Sequence, residues 1–128
     1  MSLQVQTSPG EFLDKLTILE IKAERIHEPT KLHNVQRELD LLRAIWLASP
    51  LSGRDVSAVV ARLKQVNEAL WEIEDRIRDK EATRSFDDEF IELARSVYIT
   101  NDRRASLKRE LNLALGSDLI EEKSYRPY

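Results

Sequence analysis

Between Phe12 and Ile26, the apolar residues Phe12, Leu16, Leu19, Ala23 and Ile26 recur at steps of four, three, four and three. That spacing draws one stripe down an α-helix. Just before it, Ser8-Pro9-Gly10-Glu11 offers a capping hydroxyl, a preset proline angle and a glutamate able to complete a capping box, so a helix is predicted over 9–28. Pro29 ends it, and Thr30 can cap a second helix over 31–48, where Leu32, Val35, Leu39, Leu42 and Trp46 repeat the rhythm until Ser49–Gly53 breaks it. A third helix, over 55–81, carries Val56, Val59, Leu63, Val66, Leu70, Ile73 and Ile77 in near-heptad order. Ser85 is placed to cap a fourth over 86–115. Asp87, Asp88 and Glu89 suit its positive end, and Gly116 is a natural stop.

Folding the chain back at Pro29 sets Ile26 against Leu32, Ala23 against Val35, Leu19 against Leu39, Leu16 against Leu42 and Phe12 against Trp46. A short connection makes such helices neighbours. The same operation near Arg84 pairs Ile77 with Phe90, Ile73 with Ala94, Leu70 with Val97 and Val56 with Leu111. The expected fold is therefore all-α: two antiparallel helical hairpins in an elongated, coiled-coil-like four-helix bundle, one domain over 1–128. The tail, 116–128, loses helical periodicity but keeps Leu119, Ile120, Tyr125 and Tyr128. It can dock on its own bundle or cross to a second subunit, and the weakly alternating Leu3–Gln6 can accompany it.

The second seam turns polar in its middle. Val66 falls opposite Asn101 and Leu63 opposite Arg104, with Asn67 and Thr100 at the same level. Buried polar groups cost free energy unless they are hydrogen-bonded, so this layer bonds internally, reaches water or holds a ligand. In the structural reading, Asn67 and Asn101 bond across the hairpin to fix its register while Arg104 reaches the surface. In the functional reading, the layer continues into Trp71, Glu74 and Arg78 on the third helix, with Glu74 near Arg95 and Arg78 near Glu89. Asn67, Trp71, Glu74, Arg95, Tyr98, Asn101 and Arg104 then form a groove for an anionic ligand or a partner peptide.

Charge and composition remove several alternatives. Twenty Lys and Arg against 23 Asp and Glu give a net charge of -3, which argues against an undirected binder of nucleic acid or of acidic membranes. The stretch Arg95–Arg109 is locally basic, yet only stacking aromatics or a continuous basic face would turn it toward RNA. No cysteine is present, and His27 and His33 flank Pro29 without a metal-binding pattern, so no metal site is expected. The isolated glycines form no phosphate loop, and no cofactor or catalytic residue is assigned. The uncharged stretch 44–53, like 1–10, is far too short to cross a bilayer, and residues 1–14 lack the basic start of a secretory signal. A cytoplasmic protein with no membrane partner is the expectation.

Four blocks carry a resemblance: Gly10–Lys15 with Ile18–Lys22, Asn67–Asp75, Leu93–Tyr98 with Asn101–Arg104, and Glu121–Tyr125. Together they resemble the DUF6165 family of small bacterial helical proteins of unknown function, across nearly the whole chain. That resemblance implies no activity, cofactor or catalytic residue. The residues themselves point first to a non-enzymatic module that self-associates, as a homodimer, or binds another protein, because the shorter first hairpin leaves part of the second uncovered. The alternative is a small cofactor-independent helical enzyme that lines a pocket for an anionic metabolite with Lys22, Glu74, Arg95 and Arg104, as chorismate mutase bundles do.

Overall fold

A computed structural model describes residues 1–128 and contains four helices and no strand. They are α1 (Pro9–Arg25), α2 (Pro29–Ala48), α3 (Ser57–Ala82) and α4 (Asp88–Ala114), with a 3-10 turn at Pro50–Gly53 between α2 and α3. At the start of α1 the Ser8 hydroxyl accepts from the Glu11 amide at 3.2 Å. The Glu11 side chain does not return to close a capping box; it reaches Lys108 Nζ at 2.5 Å. The first helix stops at Arg25 rather than residue 28, because the chain straightens at Ile26 and continues extended to the proline.

Other boundaries differ for equally local reasons. Glu28, not Thr30, caps α2: its carboxylate accepts from the amides of Thr30 and Lys31 at 3.0 and 2.9 Å, and Pro29 occupies the first helical position. Asp87, not Ser85, caps α4 by accepting from the Phe90 amide at 3.0 Å. Two residues come off the expected start of α3, where Asp55 instead binds the amide and hydroxyl of Ser57. Both long helices end in a left-handed residue. Gly116 (φ 65°) serves α4 without strain, while Arg84 (φ 52°) serves α3, with the Ser85 amide donating to the Lys80 carbonyl at 2.9 Å.

The layers are α2 on α1 and α1 on the α3–α4 pair. Phe12 and Trp46 stack at 6.2 Å between α1 and α2, as the first turn's register requires. No Cα of α2 lies within 8 Å of one in α3 or α4. The first helix thus has two buried faces: Leu16 and Leu19 toward α2, and Gly10, Leu13, Asp14, Thr17 and Ile21 around its other side. The core gathers Leu13, Leu16 and Leu19 with Leu39, Leu42, Leu63, Leu107, Leu111 and Leu115.

Ion pairs join α3 to α4 near the turn, Lys80–Asp87 and Arg76–Glu89 at 2.9 and 2.8 Å, and near the far end, Arg62–Glu110 at 3.0 Å. On α4 the buried positions are Leu93, Thr100, Leu107, Lys108, Leu111 and Asn112, which leaves Ala94 exposed and Asn101 at the margin of the seam. Between residues 68 and 99 only Leu93 is buried. That half of the helix pair is thinly covered, reached by α1 only near Glu68–Glu72. No helix is long and apolar enough to cross a membrane.

Candidate functional site

The polar middle of the molecule is organised by a residue of α1, Asp14, whose side chain is only 1% exposed. Arg104 grips both of its carboxylate oxygens, through Nε on Oδ1 at 2.9 Å and through Nη2 on Oδ2. Such a planar fork on a carboxylate is the strongest geometry two charged side chains can adopt. From α3, Asn67 Nδ2 donates to Asp14 Oδ1 at 2.9 Å and to Thr17 Oγ1 at 3.0 Å, while the Thr17 hydroxyl donates to the Asp14 carbonyl at 2.8 Å. The Arg104 guanidinium is held above its ordinary pKa by the bond to Asp14, which outweighs its partial burial.

A second polar contact lies one turn further along. Gly10 donates its amide to Asn112 Oδ1 at 2.7 Å, satisfying one of the free donors at the start of α1. The approach demands glycine: a Cβ there would lie 2.3 Å from the Lys108 carbonyl oxygen. Lys108 itself is nearly buried and binds Glu11 at 2.5 Å and Glu121 of the tail at 2.9 Å. Burial pulls its ammonium downward, but the two carboxylates win and hold its pKa above the usual value. No buried side-chain nitrogen or oxygen in the protein lacks a partner. A fully bonded belt of this kind fixes the register of α1 across α3 and α4.

The cross-hairpin bond expected between Asn67 and Asn101 is absent, because Asn67 turns to α1 instead. Arg104 does not extend to the surface; Asp14 holds it. Asn67, Trp71, Glu74, Asn101 and Arg104 nonetheless line one groove of about 480 Å³, floored by Ile18, Ile21, Leu70 and Val97. Tyr98 faces a neighbouring trough that shares only Val97 and Asn101 with it. Arg95 lies outside both and pairs with Glu92 at 2.7 Å. Glu74 pairs with Arg78 on its own helix at 2.8 Å rather than with Arg95, and Glu89 pairs with Arg76 rather than Arg78. Arg25 of α1 sits 6.0 Å from the centre of the Trp71 ring, with Glu68 and Glu72 beside it. No group of three or more His, Asp or Glu side chains converges as metal ligands would.

Asp14, Thr17, Lys108 and Asn112 were not among the residues singled out from the sequence. For Asp14 and Thr17 the signal is the second stripe of α1, in which Gly10, Leu13, Asp14, Thr17 and Ile21 share a face. It was legible only as ordinary polar residues beside a stronger apolar stripe.

These features define a small all-α protein whose central helix is tied to a long helix pair by a buried carboxylate–guanidinium belt. More particularly, the chain belongs to the family described as "Family of unknown function (DUF6165)", whose model matches residues 3–127. Neither a curated protein nor a solved structure matches it.

Proposed function

We propose that the protein is a non-enzymatic helical module that self-associates through the outer face of α2. One observation carries the reading: α2 rests on α1 alone and turns Leu41 and Ile45 outward, 60% and 51% exposed, with Leu47 beside them at 75%. Ala44 and Ala48 lie on the same outward stripe, and no charged residue occurs from 44 to 53 in a chain that is 34% charged. Loss of charge around large apolar side chains is what distinguishes the centre of a protein interface. The occupant we assign is a second copy. About a two-fold axis, Leu41 and Ile45 of one copy fill the notches left by Ala44 and Ala48 of the other, as an isologous contact requires.

An anion-binding enzyme finds less support in the groove at Trp71. Both Arg104 donors facing Asp14 are spent, Arg78 is held by Glu74, and Asp75 on the rim has no cation within 4 Å. Such a rim repels a carboxylate or phosphate rather than attracting one.

Sedimentation equilibrium of the full chain tests the assignment. The expected result is a dimer at micromolar concentration that becomes monomeric in the double variant Leu41→Glu, Ile45→Glu with unchanged helical circular dichroism. A wild-type monomer at several hundred micromolar, or a dimer indifferent to both charges, refutes it.

A further inference from the structure

The fold brings aromatic side chains and cations of the tail together beside Tyr98 of α4. After Gly116 the chain reverses and runs back along α4, tied by Lys108–Glu121 at 2.9 Å, Arg109–Glu122 at 3.4 Å and the Tyr128 hydroxyl donating to Asp102 Oδ2 at 2.6 Å. Between tail and helix lies an open trough of about 870 Å³. Three phenol rings border it: Tyr98 from α4, and Tyr125 and Tyr128 from the tail. Tyr98 and Tyr128 meet edge to face at 5.1 Å, yet remain 44% and 79% exposed, and Tyr125 is 77% exposed.

Two cations of the tail, Lys123 and Arg126, line the trough beside these rings. Arg126 has no carboxylate within 4.0 Å. Lys123 lies 5.5 Å from the centre of the Tyr125 ring and 3.8 Å from Glu121, whose other oxygen is already bound to Lys108. Within the trough the one side-chain carboxylate, Asp102, is engaged by the Tyr128 hydroxyl. Exposed aromatic faces beside an unpaired Arg126 and a loosely paired Lys123, in an open trough, are the elements that hold a strand of nucleotides: bases stack on the rings and phosphates meet the cations.

We infer that the trough between the C-terminal tail and α4 binds a short single strand of nucleic acid, with Tyr125 and Tyr98 as stacking surfaces and Arg126 and Lys123 as phosphate contacts. Local charge, not the net charge of -3, governs this contact. It is independent of the α2 face, which lies on another helix.

Fluorescence anisotropy of the full-length protein with a labelled oligouridylate of about six nucleotides tests it. With two phosphates neutralised, the logarithm of affinity falls with that of salt at a slope of about -1.4, or about seven-fold from about 50 to 200 mM. Arg126→Ala reduces the slope to about -0.7, and Tyr125→Ala weakens binding by about five-fold or more. Arg62→Ala, on a different face and paired with Glu110, changes nothing. Tyr125 and Arg126 are exposed, so neither variant threatens folding. Unchanged anisotropy with about 100 μM protein at low salt overturns the inference, as does binding indifferent to both tail variants. Equal competition by a duplex overturns it too, and equal competition by uridine monophosphate assigns the trough to free nucleotides instead.

Discussion

Cutting the Asp14–Arg104 pair from either side has unequal consequences. Asp14 is 1% exposed at its side chain and Arg104 is 29% exposed. Arg104→Ala strands the carboxylate deep in the belt with Asn67 as its one side-chain donor, whereas Asp14→Ala leaves a guanidinium that can turn toward water. Removing one member of a buried pair costs about 3–5 kcal/mol, so Arg104→Ala belongs near 4 and Asp14→Ala near 3 kcal/mol. For a domain whose whole stability is about 5–15 kcal/mol, either loss is large. With a urea m-value of about 2 kcal/mol per molar, the midpoints fall by about 2 and 1.5 M. In the double variant nothing charged is left stranded, and the cost should come at least about 2 kcal/mol below the sum of the singles. Equilibrium urea denaturation followed by circular dichroism measures all four proteins. Additive losses within about 0.5 kcal/mol, or a more damaging Asp14→Ala, would show that the belt is not the coupled unit described here.

Two further outcomes follow from the same geometry. Gly10→Ala, which in an exposed helix gains about 1 kcal/mol, should here lower the melting temperature, because its Cβ would strike the backbone carbonyl of Lys108 at 2.3 Å; a rise on thermal denaturation contradicts that close approach. The tail should loosen in acid. Lys108 holds the Glu121 carboxyl below its ordinary range, so its contribution is complete above the unfolded value near 4.3 and is lost as pH falls through the folded one. Lys108 is held upward, so its share is complete below about 10.4 and is lost only as pH rises through its folded value. Amide exchange of residues 117–128, corrected for intrinsic rates, should therefore be constant from about pH 6 to 9 and accelerate below about pH 4; uniform protection into acid refutes the strap.

Helix positions were readable because their causes are local. Spacing of three and four marks a buried stripe wherever it packs, and Pro29, Pro50 and Gly116 interrupt the backbone in any context. Caps were less readable. Ser85 and Asp87 are both good caps by type, and near Pro29 the cap is Glu28 although Thr30 is the better type; only the path of the turn decides which oxygen reaches the free amides. The pairing of Phe12 with Trp46 follows from a short turn, but the placement of α2 away from α3 and α4 does not. It depends on α1 being buried on two sides, and a single amphipathic stripe reports one.

The belt shows why the site was only half legible. Asn67, Asn101 and Arg104 stood out because they interrupt a heptad, and an interruption is visible from the sequence alone. Their partner was invisible, because Asp14 lies at a position where a helix ordinarily meets solvent and its neighbours offer no contrast. Pairing Asn67 with Asn101 assumed that the polar residues of one hairpin satisfy each other. The structure assigns that task to a third helix: Asp14 takes one donor group from α3 and a second from α4. A carboxylate shared in this way links both partners to α1 at once, so its geometry selects one crossing of the three helices where leucines alone would tolerate several. That is also why so little of Arg104 is available to a ligand. The chemistry that fixes the fold consumes the charge that drew attention to the site.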